Sequence, residues 1–432
     1  MKNKKLFWLY LLSASIYTTQ GLEGLPGLSL FFYLKEHLHL APEKMMWISS
    51  IISIPWIIKP LWGFFIDNYL SKRLWIILSL IGSILISFYF GLSPYLTIPI
   101  IIIMSILGNL ATAWRDISND GLACIEGKEN NCCDKFQNVQ WTSITLAGIV
   151  TGLAGGYIAD HFSYKFAYLC LIPIYLIILW IISKYKPQKQ WESLCKTCSE
   201  KLSCPSETFN SISFKVLNKV IDCKNYKKVT IQHSEKSSLL GNILSYKELF
   251  TNKTFLLGCL FIFLYNFNPS FGTPLMYIER DTFKWSGTFM GILGAITSAV
   301  SIIGSFIYYK ISKKINIKKV LYWSIFLGAL TTLSYLYFTP ISAITYGVIY
   351  SIIGMFIFLN VMTYMAQITI KGKESTSFAL LCSINNLAAT CGTIAGAYLF
   401  PKIGLNFLII VSAGTSFLCL PIIKHLKIEE EK

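Results

Sequence analysis

Apolar residues in this chain come in long runs, with no short alternating stretches of the kind a β-barrel strand would need. "LWIILSLIGSILISFYFGL" at 74–92, "FAYLCLIPIYLIILWII" at 166–182 and "LNFLIIVSAGTSFLCLPII" at 405–423 are examples. About 20 such residues in a row suffice to cross a bilayer as a helix. Read this way, the pattern predicts twelve spans: 6–34, 42–66, 73–93, 95–123, 139–161, 164–184, 254–279, 284–309, 318–338, 341–370, 374–400 and 404–423. The one long polar stretch, 185–250, falls between the sixth and the seventh. The expected architecture is therefore an all-α membrane protein of two pseudo-symmetric six-helix halves. The first half covers 1–184 and the second 251–423, with a linker over 185–250 and a tail over 424–432.

Composition agrees with this class. Charged residues make up 14% of the 432 and hydrophobic ones 54%, where a soluble domain carries about 25% charged. The formal net charge is +16. Placing both termini and the linker on the cytoplasmic side puts Lys2, Lys4, Lys5, Lys72, Arg73, Lys313, Lys314 and Lys371 inside. Lys35, Lys44, Lys165, Arg280, Lys284 and Lys402 are left outside, which satisfies the positive-inside bias. The positive charge thus reads as topology and attraction to anionic membrane lipid. No compact basic domain exists that would bind nucleic acid. The start, "MKNKKLFWLYLLSASIYTTQ", has the flavour of a signal peptide, but its apolar pattern continues through Tyr33, so a retained first helix is expected. Cys195, Cys198 and Cys204 lie in the linker with looser spacing than a zinc site wants, and a disordered Ser/Lys-rich linker is the default. No cofactor or metal is expected.

Polar groups inside spans are costly and are functional candidates by default. Gln20, Glu23, Gly24 and Gly27 share one face of the first span, which Gly21, Pro26 and their neighbours weaken as a helix. Either a cavity lining or close helix packing would account for that pattern. In the fourth span Asn109, Asp116 and Asp120 line one face, with Arg115 and Asn119 on the adjoining stripe. The second half uses amides instead: Asn266 and Asn268 in the broken "YNFNPSFGTP", Asn360, Thr363 and Gln367 in span ten, Asn385 and Asn386 in span eleven. Any one amide can simply bond a neighbouring helix. Gly/Pro-interrupted polar spans at matching places in two halves are the sequence mark of a transporter binding site.

The segment "PWIIKPLWGFFIDNYLSKR" carries the most specific pattern. Its Gly63, Asp67, Lys72 and Arg73 resemble the signature loop of the major facilitator superfamily, Gly-x-x-x-Asp-(Arg/Lys)-x-Gly-(Arg/Lys)-(Arg/Lys), although Asn68 and Leu70 depart from it. "GSFIYYKISKK" after span eight is a worn echo, with Tyr308 where the aspartate would stand. The longer "PWIIKPLWGFFIDN" is similar to the Pro-Trp-x-x-Lys-Pro-x-x-Gly-x-x-x-Asp motif of the folate–biopterin transporter family. "RDISNDGLACIEGK", "YIERDTFKWSGTFMGILG" and "ESTSFALLCSINNLAATCGTIAG" resemble further regions of that family, whereas 185–250 has no counterpart.

That resemblance implies uptake of folate- or pterin-type anions by alternating access, with a proton as coupling ion. An anion needs cations, and Lys59 and Arg115 are the two basic residues expected within the membrane. Each could instead pair with Glu23, Asp116 or Asp120. Those three carboxylates are the proton-carrying candidates. Gln20, Asn266, Asn268, Asn385 and Asn386 would read the ring edge. Gly63, Asp67, Lys72 and Arg73 would form a gate, with Asp67 set against the start of span eleven near Ser375 and Thr376. Such a latch would favour the outward-facing state. An enzyme is not expected, since no histidine lies in a span beside a nucleophile; a channel would want rings of like groups, usually through oligomers. A monomeric transporter is expected. Transport of another small solute, or a non-transporting sensor with the same fold, remain as alternatives.

Overall fold

A computed structural model describes residues 2–130, 133–185, 251–311, 316–370 and 374–426. Among these residues there are helices and no strands. The first half holds α1 (Lys2–Leu22), α2 (Gly27–Phe32), α3 (Pro42–Ile52), α4 (Ile54–Ile57), α5 (Lys59–Asn68), α6 (Lys72–Leu92), α7 (Ile98–Asn130), α8 (Cys133–His161) and α9 (Tyr164–Lys184). The second half holds α10 (Lys253–Asn266), α11 (Gly272–Asp281), α12 (Gly287–Ile311), α13 (Ile317–Ser334), α14 (Pro340–Gln367), α15 (Glu374–Thr415) and α16 (Leu420–Ile423). Among the described residues, eight helical segments are long and apolar enough to cross a membrane. One of them, Ser377–Ile423, is two helices broken at Gly404. The expected spans 6–34, 42–66 and 254–279 fall on broken runs, α1–α2, α3–α5 and α10–α11. A count of twelve crossings therefore treats each broken run as one crossing.

Local chemistry sets these boundaries. Ser71 caps α6 by accepting from Leu74 N, 3.2 Å away. Asn252 and Asn316 cap α10 and α13 in the same way, each at 3.1 Å. Thr339 and Ser342 form a reciprocal capping box at the start of α14, with Pro340 in the first turn. The second span breaks at Ser53 and again at Ile58, just ahead of Pro55 and Pro60. Proline removes a backbone donor and clashes with the preceding turn, so helix bonding lapses there. Gly404 takes φ 73°, a conformation that side chains rarely adopt, and ends one helix of α15 so the next can begin.

Each half has its own apolar core. Leu9, Leu12, Ile16, Ile76, Leu80, Leu171 and Ile178 centre the first. Phe255, Phe261, Ile262, Leu321, Tyr364 and Leu381 centre the second. The halves meet along two seams. In one, α8 lies on α12 through glycines: a Cβ on Gly156 would sit 2.6 Å from the Gly287 carbonyl oxygen and 2.8 Å from Gly291 Cα. In the other, α3–α5 face α15. A third contact closes one end of the bundle, where α2, α3, α11 and α12 converge with Phe31, Leu40, Met45, Tyr277 and Met290.

Candidate functional site

Helix α7 carries the charges that organise the first half. Arg115 and Asp116 are neighbours in sequence and so point about 100° apart on a helix. Arg115 turns toward α1 and α6, is fully buried, and pairs with Glu23. Glu23 also accepts from Thr112 Oγ1 at 2.9 Å and from Tyr175 OH at 3.0 Å. Arg115 Nη1 donates to Ser83 Oγ at 3.2 Å. The weak helix around Gly21–Gly27 lets Glu23 reach inward at this level, and Thr151 Oγ1 takes the Gly21 carbonyl at 2.8 Å.

Asp116 turns the other way and pairs with Lys59 Nζ at 2.5 Å. Asp120, one turn further along α7, accepts from Tyr17 OH at 3.0 Å and Gln140 Nε2 at 3.1 Å. Asn119 sits behind, accepting from Ser13 Oγ at 2.9 Å. Three carboxylates thus share two cations, and Asp120 is the one held by neutral donors. Lys59 begins α5 immediately after the second helix break, which is what frees it to reach across to α7. Its side chain keeps 19% exposure, against none for Arg115. Of the two cations, Lys59 is the one that keeps exposed surface.

The seam between the halves continues from Lys59. Asn386 Nδ2 donates to the Trp56 carbonyl at 3.3 Å, and Ser53 Oγ bonds Thr390 Oγ1 at 3.0 Å. Asn385, beside Asn386, makes no hydrogen bond among the described residues. Gln20 is half-buried, with Oε1 buried and unpaired. The other amides are committed locally. Asn266 donates to Ile262 O at 2.9 Å. Asn268 accepts from Thr415 Oγ1 at 3.2 Å and Ser416 Oγ at 3.0 Å, and its break packs against α15, where Ser270 N donates to Gly392 O at 3.0 Å. Asn268 therefore serves the join between α10, α15 and the following turn. A shallow hollow between α12 and α14, lined by Thr297, Ser298, Ser301 and Ser351, contains none of the predicted residues.

A Cβ added at Gly63 would meet open space. Asp67 lies near the end of α5, but its side chain, with Ser375 and Thr376, lies outside what is described. Lys72 packs along α7 at Gly121, and Arg73 has a buried, unpaired Nε. At the opposite end of the bundle stand contacts that the sequence pattern did not single out. Lys35 pairs with Asp281, and Arg280 Nε meets Glu36 Oε1 at 2.9 Å. Tyr277 OH donates to the Leu40 carbonyl. Asp160 accepts from Gly287 N and Thr288 N, both at 2.7 Å, capping α12 from the other half. Lys35 and Glu36 both reach α11 from a π-helical turn over Tyr33–His37. Among the described residues no cluster of three or more His, Cys, Asp or Glu could hold a metal, and Cys195, Cys198 and Cys204 lie outside them.

Residues 20–407 match the sequence profile of the BT1 family. The chain belongs to the BT1 family. Its relatives include the folate-biopterin transporter of Synechocystis sp., 24% identical over 96% of this chain and 81% of that protein. Folate transporter 1 of Plasmodium falciparum is also 24% identical, over 95% of this chain and 74% of that protein. Probable folate-biopterin transporter 4 of Arabidopsis thaliana is 22% identical over 92% and 89%. Among solved structures, the fold is similar to a D-xylose-proton symporter, with TM-score 0.69, 10% identity and 99% of both chains covered. It is similar too to the nucleoside transporter NupG, with TM-score 0.66, 14% identity, 99% of this chain and all of that one. The fold is that of the major facilitator superfamily, and this BT1-family chain is an integral, multi-pass membrane protein of a transporter family. Its long PWIIKP segment, which carried the resemblance, is the part that places Trp56 and Lys59 on the seam between the halves.

Proposed function

We propose that the protein moves folate- or pterin-type organic anions across a membrane by alternating access, coupled to protons. The observation that carries this reading is Lys59. It is a cation with residual exposure, at a helix break, on the seam between two halves of a major facilitator fold. Its charge is balanced by Asp116, so an arriving carboxylate can exchange for that partner. The names of the relatives support the substrate class.

Each further role follows from the charge arrangement. Arg115, sealed against Glu23, Thr112 and Ser83, supports the N-terminal half and sets the position of α7. Glu23 and Asp116 each have a cation. Asp120 is bonded by neutral donors, beside an Asp116–Lys59 pair that already cancels, and it is the carboxylate best placed to take up the coupling proton. When an anion takes Lys59, Asp116 loses its cation partner, and this links substrate binding to the carboxylates of α7. The contacts of Lys35, Glu36 and Asp160 with α11 and α12 form an outer gate, closed in this structure. On this reading both termini and the 185–250 linker are cytoplasmic, the two halves are the rigid units 1–184 and 251–423, and a monomer in lipid suffices. No enzymatic step or cofactor enters.

The test is a substrate panel against purified protein, followed by thermal unfolding, since a ligand that binds the folded state raises its stability. Folates and pterins should stabilise the wild type, and Lys59→Ala should abolish the effect. Stabilisation by sugars or nucleosides, with none by folates, would retain the fold and remove this substrate.

A further inference from the structure

The two breaks in the second span leave backbone carbonyls without helical partners inside the membrane, where each must find a donor. The Trp56 carbonyl finds Asn386 Nδ2 on the facing half, 3.3 Å away. The indole N–H donates to Asn109 Oδ1 of α7 at 2.8 Å, and Asn109 is in turn fixed to Ser105 O at 2.9 Å. Trp56 is thus held by both halves, with its ring plane set. Trp47, Ile51, Ile54, Leu61 and Phe65 mark the outward face of this span. Trp56, two residues after Ile54, lies on the opposite side, yet it remains only half-buried. Lys59 Nζ lies over one face of its ring, 4.7 Å from the centroid, and no aromatic ring stacks on the indole among the described residues.

We infer that Trp56 is the platform on which the flat heteroaromatic ring of the transported anion stacks, on the indole face that Lys59 leaves open, while Lys59, over the other face, takes a carboxylate of the anion. The inference rests on the folate–pterin reading above and deepens it. A fixed indole offers a large apolar face at no ordering cost, and its polar N–H is already satisfied, so nothing unpaired is buried when a ring covers it. Asn385, next to Asn386 in sequence on the facing half, has no hydrogen-bond partner among the described residues. Ring recognition and charge recognition would then lie three residues apart, on the two sides of one helix break.

Binding of folic acid, pterin-6-carboxylate and p-aminobenzoylglutamate to the full-length protein in nanodiscs tests this. Wild type, Trp56→Leu, Trp56→Phe and Asn109→Leu are compared by calorimetry. Trp56→Leu is expected to weaken folic acid and pterin-6-carboxylate roughly tenfold, the usual scale for removing an aromatic stacking partner. It should leave p-aminobenzoylglutamate, which keeps the anion and lacks the pterin, within about twofold of wild type. Trp56→Phe should retain most of the affinity. Asn109→Leu, which frees the indole without removing it, should weaken the same two ligands less strongly, and it stands in should the Leu variant not fold. Equal weakening of all three ligands would make Trp56 a mere support for Lys59 and overturn the platform. Unchanged binding in Trp56→Leu, or in Asn109→Leu if that variant stands in, would overturn it as well. If the wild type binds none of the three, the folate reading fails first and the platform with it.

Discussion

Breaking the Glu23–Arg115 pair tests the division of labour between the two intramembrane cations. Arg115 has no exposed side-chain surface and Glu23 keeps 18%. Replacing Arg115 by Met leaves the Glu23 carboxylate with two neutral hydroxyl donors, Thr112 and Tyr175, and no balancing charge. Removing one partner of such a buried pair costs about 3–5 kcal/mol, because the remaining charge is stranded. Glu23→Gln strands the guanidinium in the same way, with Ser83 and Thr112 as its other partners. The double variant removes both charges and keeps the volume, and such replacements are often close to neutral. The double should therefore be less destabilised than the sum of the singles, by about 2 kcal/mol or more. Denaturant or thermal unfolding of the four proteins in detergent measures this, with folate binding recorded for each folded variant. Additive losses of under about 1 kcal/mol per single would refute the buried-pair argument. An Arg115→Met protein as stable as wild type but unable to bind folate would make Arg115 the anion site instead.

Other outcomes follow from the same geometry. Asp120→Asn should abolish accumulation driven by a proton gradient and spare substrate exchange at equal pH; loss of both would make Asp120 structural. Lys35→Asp or Asp281→Lys alone should open the outer end, seen as faster labelling of a cysteine placed at Met45, and the charge-swapped double should restore the wild-type rate. Gly156→Leu would drive a side chain into the α12 backbone, where a Cβ already meets Gly287 O at 2.6 Å, so folded yield should collapse, whereas Gly328→Leu, with open space around it, should be tolerated. Asn268→Ala removes the acceptor for Thr415 and Ser416 and should cost about 1–3 kcal/mol of stability; a loss of substrate affinity at unchanged stability would return Asn268 to the binding site.

The sequence already showed much of this arrangement, for identifiable reasons. Gly and Pro mark helix breaks through backbone sterics alone, so the interruptions near Gly21–Gly27, Pro55–Pro60 and Asn268–Gly272 are legible without any tertiary knowledge. Helical spacing likewise separated the Asn109–Asp116–Asp120 face of α7 from the Arg115–Asn119 stripe, and the two faces do meet different neighbours. What spacing cannot supply is the partner. Whether Lys59 meets Asp116 and Arg115 meets Glu23, or the reverse, depends on how α1 and α5 pack on α7. Trp56, Tyr17 and Tyr175 were hidden for a different reason. In a chain with 15% aromatic residues an indole or phenol counts as apolar filling until its polar tip is seen to have a partner. Lys35, Glu36, Arg280 and Asp281 look like ordinary loop charges that set topology; only the fold brings α2 and α11 together and turns them into paired contacts.

On the proposed function, a folate-type anion is carried across the membrane with Lys59 as its charge partner. Uptake of labelled folate into proteoliposomes, with and without an inward proton gradient, for wild type and Lys59→Ala, tests it most directly. Gradient-stimulated uptake by the wild type and none by the variant is expected. Equal uptake by both would contradict the role of Lys59, and absence of uptake by a folded, folate-binding wild type would contradict transport itself.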